Sequence, residues 1–129
     1  MNSPTSDINT FRDLQSYQCA FRLQQDLFRA SKSWPREEAY SLTDQARRSS
    51  RSIGANLAEA WAKRRYPAHF LSKLTDADGE LQETSHWLAT AIDCGYLTAG
   101  SGQPFITGYE ELGRKVGAMM AKYEKFCLR

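Results

Sequence analysis

No stretch of the chain approaches the ~18 consecutive apolar residues that a membrane-spanning helix needs. Residues 1–10 are polar and contain no apolar signal core, so neither export nor membrane association is expected. Cysteine is scarce and unpatterned. Cys19, Cys94 and Cys127 are odd in number and far apart, with no CxxC or CxxxH clip, which argues against a disulfide framework or a zinc site. Three unclustered thiols fit a reducing compartment, most simply the cytoplasm, with each thiol serving as a small buried hydrophobe. No Asn-Gly or Asp-Gly pair is flanked by alternating apolar residues, so strands are not expected. A strong charge of one sign is also missing: 17 Lys and Arg stand against 15 Asp and Glu, net +2. That is far from the excess of a protein that coats nucleic acid, although charge can still be local.

Catalytic signatures are equally thin. No G-x-S-x-G, Walker A or G-x-G-x-x-G string occurs. His69 and His86 are 17 residues apart and do not share a helical face as a metal pair; His69 reads as solvent-facing and His86 as a packing residue. Glu83-Thr84-Ser85-His86 matches the Glu-x-x-His spacing of di-iron bundles once, but the second copy and the additional carboxylates are missing. The sequence therefore predicts no enzyme, no cofactor and no metal.

The 129 residues, 41% hydrophobic and 25% charged, suffice for one globular domain with its own core. Residues 1–10 read as a mobile tail and residues 11–129 as the domain. Punctuation falls at Ser31–Pro35, at Arg64–Pro67, and from Gly95 through Thr98–Pro104, leaving four long segments. Segment one, about Asp13–Ala30, opens with Thr10 and Asp13 placed as a capping pair. It carries two apolar stripes: Leu14, Tyr17, Phe21 and Phe28, then Cys19, Ala20, Leu23, Leu27 and Ala30. So wide an apolar arc is either sunk in its own bundle or meets another subunit through the second stripe.

Segment two, Pro35 to about Arg64, begins with proline and two glutamates suited to a first turn. Leu42, Ala46, Ser49, Ile53, Leu57 and Ala60 form a narrow stripe of small residues. Segment three, Pro67–Cys94, stops at Gly95 and aligns Phe70, Leu74, Ala77, Leu81, Leu88 and Ile92. Asp76, Glu80, Glu83 and Trp87 form its other stripe. Segment four, about Pro104–Cys127, aligns Phe105, Tyr109, Leu112, Val116, Met119, Tyr123 and Phe126. Gly113, Gly117 and Ala121, four apart, suggest a close helix crossing there. Four helices with short connections predict an all-α, up-down-up-down antiparallel four-helix bundle.

Charge is uneven along this bundle. Residues 36–65 carry seven basic and four acidic side chains, net +3, whereas residues 66–96 carry one basic and five acidic, net −4. Neighbouring faces of opposite sign attract only weakly when exposed. The functional candidates are Arg47, Arg48, Arg51, Lys63, Arg64 and Arg65, a set able to hold phosphates, with Tyr66 beside them for stacking. A second set, Ser52, Asn56, Glu59 and Glu83, reads as a structural polar network. Asn56 borders the core stripe and should be nearly buried, bonded to Glu59 or Glu83; the alternative is a rim Asn held by water.

Several strings resemble one family in order along about residues 11–126. They are Phe11-Arg12-Asp13-Leu14, Trp34-Pro35-x-x-Glu38, Tyr40-x-Leu42-x-x-Gln45-x-Arg47-Arg48, Ser52-Ile53-x-x-Asn56-Leu57-Ala58-Glu59, Gly79-x-x-x-Glu83 and Gly95-Tyr96-Leu97. Together they resemble the bacterial four-helix bundle proteins encoded in intervening sequences of 23S ribosomal RNA genes, also called the S23 ribosomal protein family. That family is similar in fold to the accessory variability proteins of diversity-generating retroelements, pentameric barrels with basic surfaces that bind nucleic acid and a reverse transcriptase. The resemblance implies a non-enzymatic homopentamer with RNA or DNA as partner. Two positions depart from the family pattern: Ala60 replaces a usual Gly, and Glu80 a usual Ser, adding negative charge to an acidic helix.

Three functions compete on these residues: nucleic-acid binding through helix two, a structural or protein-interaction module with no nucleic-acid role, and a small-molecule or metal enzyme. A continuous basic stripe favours the first. Arginines consumed by Asp76, Glu80 and Glu83 favour the second.

Overall fold

The computed structural model describes residues 7–128. Four α-helices, α1 (Gln15–Ser31), α2 (Leu42–Ala62), α3 (Pro67–Asp93) and α4 (Ala99–Ala121), account for most of them, and no strand occurs among the described residues. Each helix packs against its neighbours in sequence, and α4 closes the ring against α1; the backbones of the diagonal pairs stay apart, no two of their Cα atoms lying within 8 Å. This is the up-down-up-down bundle that the four apolar stripes predict.

Residues 1–6 of the expected tail lie outside the described residues. Residues 7–10 belong to the fold. Ile8 packs on the core, and Thr10 caps a 3-10 turn, Phe11–Asp13, whose Asp13 carboxylate accepts back from the Thr10 and Asn9 amides. Those two N–H bonds also hold the Asp13 carboxyl below its usual pKa.

The core stripes settle the reading of α1. Cys19, Ala20, Leu23 and Leu27 are buried inside the bundle, so the second stripe faces its own neighbours. The first stripe turns outward instead: Leu14 is buried, Tyr17 and Phe28 are half-buried, and Phe21 is 46% exposed. Tyr17 stacks on Phe21 and meets Phe11 edge-on.

Two helix starts differ from expectation. α2 begins at Leu42, because Pro35–Ser41 forms a separate 3-10 turn and bend. There Glu38 accepts from Ser41 Oγ (2.7 Å) and from Tyr96 Oη (2.9 Å), tying this connection to the α3–α4 connection at the same end. α4 begins at Ala99, five residues before Pro104. Thr98 and Ser101 form a capping box, and that gain outweighs the amide Pro104 lacks one turn later.

α3 ends as Gly95 predicts. Its φ of 81° lets the Tyr96 amide reach Ala91 O (2.9 Å) and the Gly95 amide reach Ile92 O (3.0 Å), the paired bonds of a Schellman stop. The close crossing lies elsewhere than Gly113, Gly117 and Ala121. A Cβ on Gly117 would touch nothing, whereas one on Gly108 would stand 2.5 Å from Leu23 Cδ2. Gly108 therefore lets α4 approach α1. α2 turns Ala46, Ser49, Ile53, Leu57 and Ala60, all fully buried, into the core, and Ser49 meets Thr84 of α3. His86, expected to pack, is exposed and rests on Trp87 at the outer face of α3; His69 is exposed, as expected.

Candidate nucleic-acid interface

Helix geometry splits the helix-two basic set. Successive residues are 100° apart, so Arg47 and Arg51 lean toward α1, while Arg48 and Ser52 lean toward α3. Each side meets different chemistry.

Toward α3, the acidic stripe takes Arg48. Its guanidinium pairs with Glu80 (3.4 Å) and with Glu83. Trp87 Nε1 donates to the same Glu83 oxygen, at 3.2 Å. Glu59 is taken by Lys73 (2.8 Å), which holds the Glu59 carboxyl below its usual value and raises the Lys73 amine. With both glutamates engaged, the expected four-residue network does not form. Asn56 is half-buried and donates to Ser52 O (2.9 Å), and Ser52 Oγ donates to Arg48 O (2.9 Å), so both amide and hydroxyl bond back to their own helix.

Toward α1, no carboxylate among the described residues pairs with Arg47 or Arg51, although Asp44 lines the same groove. Arg47 Nε donates to Ser31 Oγ (2.8 Å), whose hydroxyl donates to Phe28 O (2.9 Å). The Arg47 guanidinium lies 4.7 Å from the Phe28 ring centre, that of Arg51 5.4 Å, and Lys32 Nζ 4.9 Å. Phe28 and Lys32 do not stand out in the sequence. They are four apart at the end of α1, and only the antiparallel packing of α1 on α2 brings them to Arg47 and Arg51.

The second basic cluster lies about 18 Å further along the helix axis, at 1.5 Å per residue. Lys63 and Arg65 are exposed there. Arg64 is half-buried and engaged. Its guanidinium stacks 3.4 Å from the Trp61 ring centre, its Nε donates to Trp61 O (2.8 Å), and its carbonyl accepts from the Leu128 amide (3.1 Å). Burial lowers its pKa. Arg64 thus ties the chain's end to α2, beside Phe126 stacked on Phe70. Tyr66 is exposed and tilts against His69.

Other surfaces hold less. An open depression of about 670 Å³ runs along α1 past Tyr17, Phe21, Arg22 and Arg29. Among the described residues no three His, Cys, Asp or Glu side chains cluster as a metal site, and no helix is long and apolar enough to cross a membrane.

The profile of the family described as 23S rRNA-intervening sequence protein matches residues 12–118. The chain belongs to that family. Its fold is similar to the crystal structure, at 1.70 Å resolution, of a protein with unknown function from the S23 ribosomal protein family of Bacteroides thetaiotaomicron VPI-5482. The two share 24% sequence identity with a TM-score of 0.75, over 82% of this chain and 95% of that one. No curated protein matches in sequence. The bundle is thus that of an intervening-sequence protein.

Proposed function

We propose that this family member is a non-enzymatic cytoplasmic bundle that self-associates, as a pentamer by the resemblance, and binds RNA or DNA through the basic surface of α2. The supporting observation is the unequal treatment of its arginines. Arg48 is neutralised by α3, but Arg47 and Arg51 keep their charge at the α1 edge, and Lys63 and Arg65 are exposed at the far end. In a ring of copies each cluster repeats, and weak phosphate contacts add by multivalency. The outward aromatic face Tyr17–Phe21 on α1 supports self-association, since an exposed stacked pair gains from being covered.

The test is titration of mixed-sequence RNA and duplex DNA at two salt concentrations, with light scattering on the same sample. Salt-sensitive binding by an oligomer is expected. A monomer at micromolar concentration defeats the assembly, and no binding at low salt defeats the nucleic-acid role. The consumption of Arg48 by Glu80 and Glu83 favours the second reading, a protein-interaction module, and that reading takes over if nucleic acid fails to bind.

A further inference from the structure

We infer that Phe28, Lys32, Arg47 and Arg51 form a preorganised site for consecutive phosphodiester groups of one nucleic-acid strand, located on the seam between α1 and α2. This rests on the nucleic-acid reading above and narrows it from a helix surface to one site that includes two α1 residues.

Three cationic groups stand within 5.4 Å of a single ring centre. Like charges so close repel, and four cations elsewhere in this chain are set against a carboxylate. Arg29 has Asp26, Arg48 has Glu80 and Glu83, Lys73 has Glu59 and Asp76, and Lys115 has Glu111. Among the described residues none of Lys32, Arg47 and Arg51 has an acidic partner within ion-pair distance. Asp44, which shares a shallow groove with Arg47 and Arg51, is not paired to either. The ring offsets the repulsion in part, since its face attracts each cation.

The geometry also leaves the right atoms free. Arg47 sets its guanidinium over the Phe28 ring and its Nε on the buried Ser31 hydroxyl. Its two terminal nitrogens remain for an in-plane, bidentate acceptor, the arrangement that suits phosphate. A guanidinium held from two sides loses little freedom when it binds. Arg51 lies four residues on, ~6 Å along the axis, a spacing comparable with that of successive phosphates on one strand. Cations crowd the Phe28 ring, so a base has no open face to stack on. Binding is therefore to backbone, with little sequence preference.

The experiment measures affinity for a labelled mixed-sequence duplex DNA across a salt series, with the melting temperature of each variant recorded. Arg47→Gln with Arg51→Gln should lower affinity and reduce the slope of log K against log salt by about 0.9 for each phosphate no longer neutralised. Phe28→Leu should weaken binding roughly fivefold at unchanged slope, the worth of the cation–π attraction it removes, while Phe28→Tyr restores it. Arg114→Gln with Lys115→Gln removes the same charge from α4 and should change the slope little. If the Arg47 variant does not fold, Arg51→Gln with Lys32→Gln carries the test, since both side chains are exposed. Wild type that binds while the seam variants match it overturns this site but leaves the nucleic-acid reading standing. An α4 control as damaging as the seam pair also overturns it, as does poly-glutamate competing as well as unlabelled duplex. Wild type that binds no nucleic acid removes both.

Discussion

Two glycines of α4 make opposite demands on a methyl group. At Gly108 an added Cβ would meet Leu23 Cδ2 at 2.5 Å, inside the packed α1–α4 contact. Gly108→Ala therefore gains helix propensity but strains the core, a net loss of about 1 kcal/mol. At Gly117 the space is empty, so Gly117→Ala should gain about 0.5–1 kcal/mol. Paired chemical-denaturation curves check both signs. A buried hydroxyl pair offers a second residue-level test. Thr84 Oγ1 lies 2.8 Å from Ser49 Oγ and 2.9 Å from Glu80 O, and both side chains are fully buried. With one proton apiece, the satisfied arrangement has Ser49 donate to Thr84 and Thr84 donate to the carbonyl. Thr84→Val leaves Ser49 with only a long contact to Ala46 O, 3.4 Å, and should cost about 1–3 kcal/mol. Adding Ser49→Ala should recover part of that loss, and a double-mutant cycle reads the coupling.

At the scale of elements, the connection at Pro35–Ser41 is held to the α3–α4 turn by Glu38. Bonds from Ser41 and Tyr96 keep the Glu38 carboxyl below its usual range, and the same contact, chiefly, pushes the Tyr96 phenol up to about 12. A carboxyl whose folded pKa is depressed adds stability above its unfolded pKa, and that stability is lost as pH falls through the folded value. Glu38→Gln should lower the melting temperature at pH 7, and the gap to wild type should close in acid. In base the phenol acts with the opposite sign: its support is complete below pH 10.0 and fades as pH rises toward about 12. Thermal melts across pH check both arms. The elements themselves were largely legible. Stripes such as Phe70–Leu88 and Phe105–Met119 repeat often enough to name a helix and its buried face. The start of α4 was not legible, because Gly100, Gly102 and Pro104 weigh toward a loop when taken singly. Thr98 capping and the fit of Gly102 beneath Ile92 outweigh them. The basic seam was half legible. Arg47 and Arg51 stand out by type and spacing, but Phe28 and Lys32 join them only through the register of α1 on α2. The loss of Arg48 to Glu83 depends in the same way on the register of α2 on α3.

For the whole molecule, the order of packing around the ring has a kinetic consequence. α2 and α3 share the broadest contact and follow one another across a short turn at Lys63–Tyr66, so little chain entropy opposes their meeting. The α1–α4 contact joins the two ends of the domain and must wait for a long loop to close. A transition state built on the α2–α3 hairpin, the broadest contact, follows, with α1 and α4 docking onto it afterwards. Truncating Ile53 or Leu74, both fully buried in that hairpin, should mainly slow refolding, with φ above about 0.5. Truncating Leu23, which seats against Gly108, should mainly speed unfolding, with φ near 0. Stopped-flow chevrons on the three variants measure this directly, and a high φ at Leu23 reverses the order. In that order of events the seam between α1 and α2, with its three cations, closes only in the second stage. A chain stalled between the two stages exposes the α2–α3 core before its basic site exists.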